Sequence, residues 1–343
     1  MRCDVAVQSD AYVEEVSAER FRATRQALGG RVRRTPVWAW PAEEVAEWLG
    51  DSAELLLKLE LLQHASCFKA RGAMLHLLSL SADERARGVI AASAGNHAAC
   101  VAFAANAAGV SAKVVVPRAV SPARLAICRR YGADVLMVED IHAAFAEMQR
   151  IQQREGCVIV HPFDSPWMVL GAADVAIEFA EQVGRLDVLV VAVGGGALCA
   201  GSAAAMKVLQ PECAVFGVEP SGADTMARSI EAGEPQRLQG TTVADSLAAP
   251  YSSERTLRLC RAFARGIVRV EDAEILDALR ALFSSMKLAV EPAAAAALAG
   301  VRGPLRDQTR RKRVGIVLCG SNIDPHAYAH FLTQALSKLP PNE

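Results

Sequence analysis

A lysine that loses its proton offers both a nucleophilic amine and a general base, and Lys69 has the neighbours that favour this. It lies in Ser66-Cys67-Phe68-Lys69-Ala70-Arg71-Gly72, beside an aromatic ring and small residues, just ahead of the helical stretch Ala73–Leu80. Lysines favour the solvated surface. One drawn out of water has a lowered pKa and presents the neutral amine that attacks an aldehyde. By itself the heptapeptide reads equally well as an exposed lysine at a helix start.

Three further turns carry polar or glycine-rich chemistry. Ser93-Ala94-Gly95-Asn96-His97 follows the apolar run Val89–Ala92. Small residues let a backbone approach a ligand, N–H groups at a helix start bind a carboxylate, and the Asn96 amide can hydrogen-bond a ring hydroxyl. The same segment is also a plain helix-capping turn, and His97 alone reads more readily as structural than as catalytic. Gly194-Gly195-Gly196-Ala197 follows the apolar run Val188–Val193. A glycine turn between strand and helix offers free N–H groups to a phosphate. Glu219, a little over twenty residues later, stands where a dinucleotide fold has its acidic ribose partner. Against that, the glycines do not follow GxGxxG and lie in mid-chain. Leu318-Cys319-Gly320-Ser321-Asn322-Ile323-Asp324 closes the last apolar run. Ligands bind at the carboxyl ends of strands in open α/β sheets, although taken singly this is only a loop.

The elements that must position these turns alternate. Strand-like runs occur at Leu55–Leu59, Val89–Ala92, Lys113–Val116, Asp134–Val138, Val158–Val160, Val188–Val193, Val215–Val218 and Val314–Leu318. Helical stretches include Ala98–Ala108, Ala123–Arg130, Ile141–Arg154, Gly171–Val183, Ala273–Met286 and the Ala-rich Ala293–Ala299 after Pro292. Short runs apolar on both faces suit parallel strands covered by helices, and the alternation predicts an α/β architecture with right-handed crossovers. No repeat or low-complexity linker interrupts it. Only Met1–Asp10 and Pro340–Glu343 read as free to be disordered.

The bulk properties exclude several classes. A chain of 343 residues suggests about two domains, and 52% hydrophobic with 22% charged residues supplies a full core. A net charge of -1 argues against nucleic acid as a partner. The basic run Arg310-Arg311-Lys312-Arg313 reads as a solvated turn more readily than as a phosphate patch. Acidic residues Asp4, Asp10, Glu14 and Glu15 occupy the place of a signal peptide's apolar stretch, and no window is apolar enough for a membrane helix. Nine scattered cysteines without a CxxC pair read as reduced thiols, not as a disulfide frame or zinc site. The expected location is cytoplasmic.

Taken together and in order, the four turns resemble the threonine dehydratase and serine racemase group of fold-type-II pyridoxal-phosphate (PLP) enzymes. The likeness runs through Arg34-Thr35-Pro36, Lys58-Leu59-Glu60, Val116-Pro117, Tyr131-Gly132-Ala133, Gly217–Pro220, Asp245 and Glu291-Pro292 as well, nearly the whole chain. It implies a tryptophan-synthase-β-like fold of two open, twisted, mostly parallel sheets flanked by helices, with the cofactor in the cleft. A large domain of residues 1–78 and 152–335 would carry Lys69, and a small mobile domain of residues 79–151 would carry Asn96. A homodimer is implied, and no C-terminal regulatory domain.

The resemblance also implies roles. Lys69, next to Phe68, matches the lysine that carries PLP as a Schiff base and moves the α-proton. Asn96 matches the partner of the cofactor's 3-hydroxyl. Gly194, Gly195 and Gly196 match the phosphate cradle, with Ala197 where a fourth glycine is usual. Ser93, Ala94, Gly95 and His97 match the loop that receives the substrate carboxylate. Cys319 takes the serine or threonine position facing the pyridine nitrogen, where a neutral group leaves that nitrogen unprotonated and favours β-elimination. Glu219, the Ala223 carbonyl and Asp224 fit a Mg/Ca or monovalent cation site. Racemases of the group carry serine at Ala94, and alanine cannot transfer a proton, so the expected activity is an ammonia-lyase (dehydratase) acting on a small β-hydroxy amino acid of the serine or threonine type. The alternatives are 3-hydroxyaspartate or another hydroxylated substrate, serine or aspartate racemisation, β-replacement, and a PLP-binding protein without turnover. Ala65-Ser66-Cys67 replaces the usual Thr-Gly-Ser, Ser246 a usual glycine, and Ala172 a usual glutamine.

Overall fold

Runs apolar on both faces become parallel strands. The protein was analysed as a computed structural model that describes residues 11–333. The termini expected to be disordered, and the last residues of the 152–335 segment, lie outside the described residues. The strands are β1 (Val37–Ala39), β2 (Glu54–Lys58), β3 (Val89–Ala92), β4 (Ala112–Pro117), β5 (Asp134–Val138), β6 (Val158–Ile159), β7 (Val188–Ala192), β8 (Ala214–Pro220), β9 (Gly266–Val270) and β10 (Arg313–Val317). They form a six-stranded sheet in the order β1-β2-β10-β7-β8-β9 and a four-stranded sheet in the order β5-β4-β3-β6. Only β1 runs antiparallel, against β2. β6 pairs with β3 although it lies beyond residue 151, so the four-stranded sheet draws on later chain than the 79–151 segment.

Two strands were not legible in the sequence, β1 and β9. Both are sheet edges, half exposed or exposed along much of their length; β1 is only three residues long, and β9 is interrupted by Arg269. The expected helices form, and several begin earlier than expected. The helix Lys69–Ser79 starts at the lysine itself, and Pro166–Val183 starts at a proline in the first turn. Among the described residues no helix is long and apolar enough to cross a membrane.

The helix Pro166–Val183 sets the relative position of two halves of the molecule. A Cβ on Gly171 would lie 2.3 Å from the Gly72 nitrogen, so this helix meets Lys69–Ser79 backbone to backbone. On another face, a Cβ on Gly201 would lie 2.2 Å from the Val169 carbonyl, which brings the helix Ala197–Leu209 equally close. One helix thus fixes both the element that carries Lys69 and the element that opens at the glycine turn. We expect Gly171→Ala to force these helices apart, costing about 1–3 kcal/mol. A lowered urea midpoint and a lost or weakened activity would register this, whereas an unchanged midpoint would mean that the helices slide without penalty.

Candidate active site

The carboxyl ends of β3, β7 and β10 face one cavity. Its lining includes Cys67, Phe68, Lys69, Ser93–His97, Gly194–Leu198, Asp245, Ser246, Glu291 and Cys319. Every residue expected to hold cofactor or substrate therefore meets here: Lys69, Phe68, Asn96, Gly194, Gly195, Gly196, Ala197, Cys319, Ser93, Ala94, Gly95 and His97.

Lys69 is aimed by a strained turn. Ala65 and Ser66 have φ of 51° and 52°, a left-handed conformation that non-glycine residues adopt at a cost. The strain is held from outside. Asn322 Nδ2 donates to the Ala65 carbonyl at 2.7 Å, the Ser321 N–H donates to the Ser66 carbonyl, and the Phe68 N–H donates to the Cys319 carbonyl at 3.0 Å. The Cys319 turn thus positions the lysine turn. Half-buried Lys69 makes no hydrogen bond or ion pair among the described residues, and its Nζ lies 5.3 Å from the Phe68 ring centroid.

The glycine turn has the shape of an anion cradle. Gly196 caps the helix Ala197–Leu209 at φ 92° with no side-chain cap, so the first-turn N–H groups remain for a ligand. A Cβ on Gly195 would fall 2.2 Å from the Phe163 ring, which packs directly over the turn. Ala197 is helical and is not among the positive-φ residues, so alanine is a mild replacement there.

The polar groups are tuned by burial. Burial pushes the Cys319 thiol well up, and Glu291 adds to the effect, so the sulfur stays protonated. Burial lowers His97 to about 3. His97 Nε2 lies 2.7 Å from the Val160 carbonyl, which can only accept, so Nε2 carries the hydrogen and Nδ1 is a buried acceptor without a partner. A neutral histidine is no acid at neutral pH, in keeping with a structural role. Asn96 Nδ2 donates to Glu291 Oε1 at 2.6 Å, and Asn96 Oδ1 accepts from Asn322 Nδ2 at 2.9 Å. An uncapped glycine cradle, one amine without a partner, a neutral thiol and an amide facing the same cavity fit a phosphorylated pyridine aldehyde.

Other site residues were not legible as such in the sequence. Arg124 is bidentate to Asp245 at 2.6 and 3.0 Å. Ile141, Phe145, Pro162, Phe163, Leu247 and Pro250 form an apolar wall. Their positions depend on tertiary packing, and no local motif marks them. The expected cation ligands are otherwise engaged. Glu219 closes β8 with both oxygens accepting N–H groups, from Met226 and Ala227 at 2.8 Å, and so caps the helix Thr225–Ala232. Burial nevertheless pushes its carboxyl up to about 8. Asp224 pairs with Arg228 at 2.7 Å and Arg269 at 2.8 Å. Among the described residues there is no cluster of three or more His, Cys, Asp or Glu side chains that could hold a metal. The same capping takes Glu219 away from any ribose.

Comparison with known proteins agrees with this geometry. The sequence profile of the pyridoxal-phosphate dependent enzymes matches residues 29–320. The chain is 48% identical over 276 residues to phenylserine dehydratase of Ralstonia pickettii, covering 80% of this chain and 85% of that protein. It is 37% identical to L-threonine ammonia-lyase of Thermotoga maritima, covering 94% and 80%. The solved serine racemase of Dictyostelium discoideum superposes with a TM-score of 0.83 at 31% identity, covering 90% of this chain and 99% of that one. The chain belongs to the pyridoxal-phosphate dependent enzyme family and is a lyase of its threonine dehydratase and serine racemase group.

Proposed function

We propose that this lyase removes ammonia from a β-hydroxy amino acid whose β-carbon carries an aryl group, a substrate of the phenylserine type. Water leaves across the α–β bond, and water added back at the α-carbon releases ammonia and an aryl 2-oxo acid. The observation that carries the reading is the apolar wall. Ile141, Phe145, Pro162, Phe163, Leu247 and Pro250 line the same cavity as Lys69. Serine and threonine, with little or no side chain beyond the hydroxyl, would leave most of that wall uncovered. The relative of highest identity reported above is a phenylserine dehydratase, which supports the same substrate.

Lys69, Asn96, Gly194, Gly195, Gly196, Ala197 and Cys319 would hold PLP. Bound PLP supplies the electron sink for negative charge at the substrate α-carbon. The protein's own residues do the rest. Lys69 Nζ takes the α-proton as general base. Ala94 offers no proton on the opposite side, which favours elimination over racemisation. The N–H groups of the Ser93–His97 turn receive the carboxylate at the start of the helix Asn96–Ala108. The neutral Cys319 would offer the pyridine nitrogen no charged partner.

The wall is fastened in place. His161 Nδ1 accepts the Asp164 N–H at 2.9 Å, so Nε2 carries hydrogen toward the Tyr251 hydroxyl at 2.8 Å. Burial lowers His161 to about 4, which keeps it neutral. Tyr251 in turn packs edge-on to Phe163, with ring centroids 5.2 Å apart. No arginine lines the cavity among the described residues, so a second substrate carboxylate, as in 3-hydroxyaspartate, lacks a cationic partner there.

The test is 2-oxo acid formation from phenylserine, threonine, serine and 3-hydroxyaspartate by the PLP-loaded enzyme and by Phe145→Ala. Phenylserine is expected to have the highest kcat/KM. The substitution should lower it about 10-fold for phenylserine and much less for threonine. Preference for threonine, with both substrates equally affected by the substitution, would sink the aryl assignment.

A further inference from the structure

A chain of hydrogen bonds passes back and forth across the cavity. It begins at the Ala65 carbonyl, which accepts from Asn322 Nδ2 at 2.7 Å. A carbonyl cannot donate, so the Asn322 amide has one orientation. The same Nδ2 donates to Asn96 Oδ1 at 2.9 Å, which fixes the Asn96 amide in turn and sends its Nδ2 to Glu291 Oε1 at 2.6 Å. From the other end, Arg124 can only donate. Its guanidinium is bidentate to Asp245, donates to the Ser246 hydroxyl at 3.1 Å, and reaches Glu291 Oε2 at 3.5 Å. Asn96 and Arg124 sit on helices packed with the four-stranded sheet, whereas Asn322, Glu291 and Asp245 belong to the part built on the six-stranded sheet. Donors from both directions converge on the buried Glu291 carboxylate.

We propose that Glu291 is a positioning residue: it sets the orientation of the Asn96 amide toward the cofactor and, through Arg124, ties that orientation to closure of the two sheet-bearing parts. The inference rests on the PLP-binding reading given above. Asn96 commits one amide hydrogen to Glu291, which leaves the other for a ring hydroxyl. A carboxylate accepts from Asn96 on one side and Arg124 on the other. A glutamine must turn its NH2 toward one of these two donors, so either the Asn96 amide flips or the Arg124 contact opens. Ser246, where the resemblance leads one to expect glycine, adds a hydroxyl 3.5 Å from Glu291 Oε2 and strengthens the Arg124 side. Burial raises the Glu291 carboxyl, while Arg124 and the Asn96 N–H work in the opposite direction.

The experiment is a double-mutant cycle on the full chain with Glu291→Gln, Asn96→Ala and both together. For each, the dissociation constant of PLP is measured by absorbance and fluorescence titration. The absorption maximum of the bound cofactor and the thermal midpoint of the cofactor-free protein are recorded alongside. Glu291→Gln should weaken PLP about 10-fold and shift the absorption maximum in the same direction as Asn96→Ala. The double variant should bind PLP about as well as Asn96→Ala alone, because the two residues act as one unit. Additive losses, or a Glu291→Gln protein with the wild-type constant and maximum, would overturn the proposal. If Glu291→Gln lowers the thermal midpoint strongly, Arg124→Met tests the same chain from its other end, with a smaller shift in the same direction expected and no shift overturning it. A wild-type protein without any bound-cofactor band would instead defeat the PLP-binding reading itself.

Discussion

Lys69→Ala will lower turnover about 10^3- to 10^4-fold while leaving the fold intact. The side chain has no hydrogen bond or ion pair to lose among the described residues, so its removal leaves no buried partner unsatisfied. What is lost is chemical. Within the cavity the other charged groups are Asp245 and Glu291, both engaged by Arg124. His97 donates its one N–H to the Val160 carbonyl, and burial lowers it to about 3, so its unpartnered Nδ1 is a weak base. The cysteine thiols beside it are buried, and Cys319 is held protonated. No second base is in place to take the α-proton, so the loss should appear in kcat more than in KM. The check is single-turnover formation of 2-oxo acid, with circular dichroism and thermal midpoint as controls of the fold. A variant that keeps wild-type turnover would remove Lys69 from the mechanism.

The sequence disclosed the chemistry better than the shape of the cavity. Asn96 and the glycine turn each lie in a short motif at the end of an apolar run, so local order brings them to the carboxyl ends of strands, whereas Lys69 lies in a motif at a helix start and is held there by the Cys319 turn. The wall has no such marker. Phe145 sits on a helix facing the four-stranded sheet, Phe163 in a loop after β6, and Leu247 and Pro250 in a loop far along the chain. Nothing in their spacing says that they share a cavity. Glu219 has a role that its place after β8 does not reveal: helix Thr225–Ala232 starts so soon afterwards that its free N–H groups reach both oxygens. Edge strands β1 and β9 escape a reading of the sequence for another reason: β1 is only three residues long, and Arg269 interrupts the apolar run of β9. The close approach of the two helices is also unreadable, since Gly171 faces the Gly72 backbone and Gly72 faces Met168, far apart in the chain.

Replacing Arg71 by Met should cost about 3–5 kcal/mol of stability, and that cost should shrink as the pH falls from neutral. Arg71 lies two residues beyond Lys69 and is fully buried. Its Nε and Nη2 donate to Glu60 at 2.9 and 2.6 Å, Nη1 to Asp174 at 2.6 Å, and Nη2 to Glu178 at 2.9 Å. Lys58 and Arg25 complete the cluster, at 2.6 Å from Glu178 and 3.1 Å from Asp174. Three cations therefore balance three buried carboxylates, Glu60, Asp174 and Glu178. In the native cluster burial raises Glu178, but Arg71 and Lys58 overrule it and hold the carboxyl at about 2, while Asp174 stays raised by its burial. The Glu178 contribution is present above its unfolded pKa and is lost as pH falls toward 2; the raised Asp174 acts in the opposite sense and flattens the native profile. Without Arg71, Asp174 and Glu178 lose their main partner, and burial should then raise both of them. A carboxyl with a raised folded pKa takes up protons on folding, so the variant should gain stability relative to the native chain as pH falls from 7 toward 5. Urea midpoints at these two pH values would show it. Arg71→Lys, which keeps the charge but lacks the planar fork, should lie between the two proteins. If Arg71→Met were as stable as the native chain at both pH values, the cluster would be no more than a tolerated burial of charge, and the helix carrying Lys69 would owe its position to the Gly72–Gly171 contact alone.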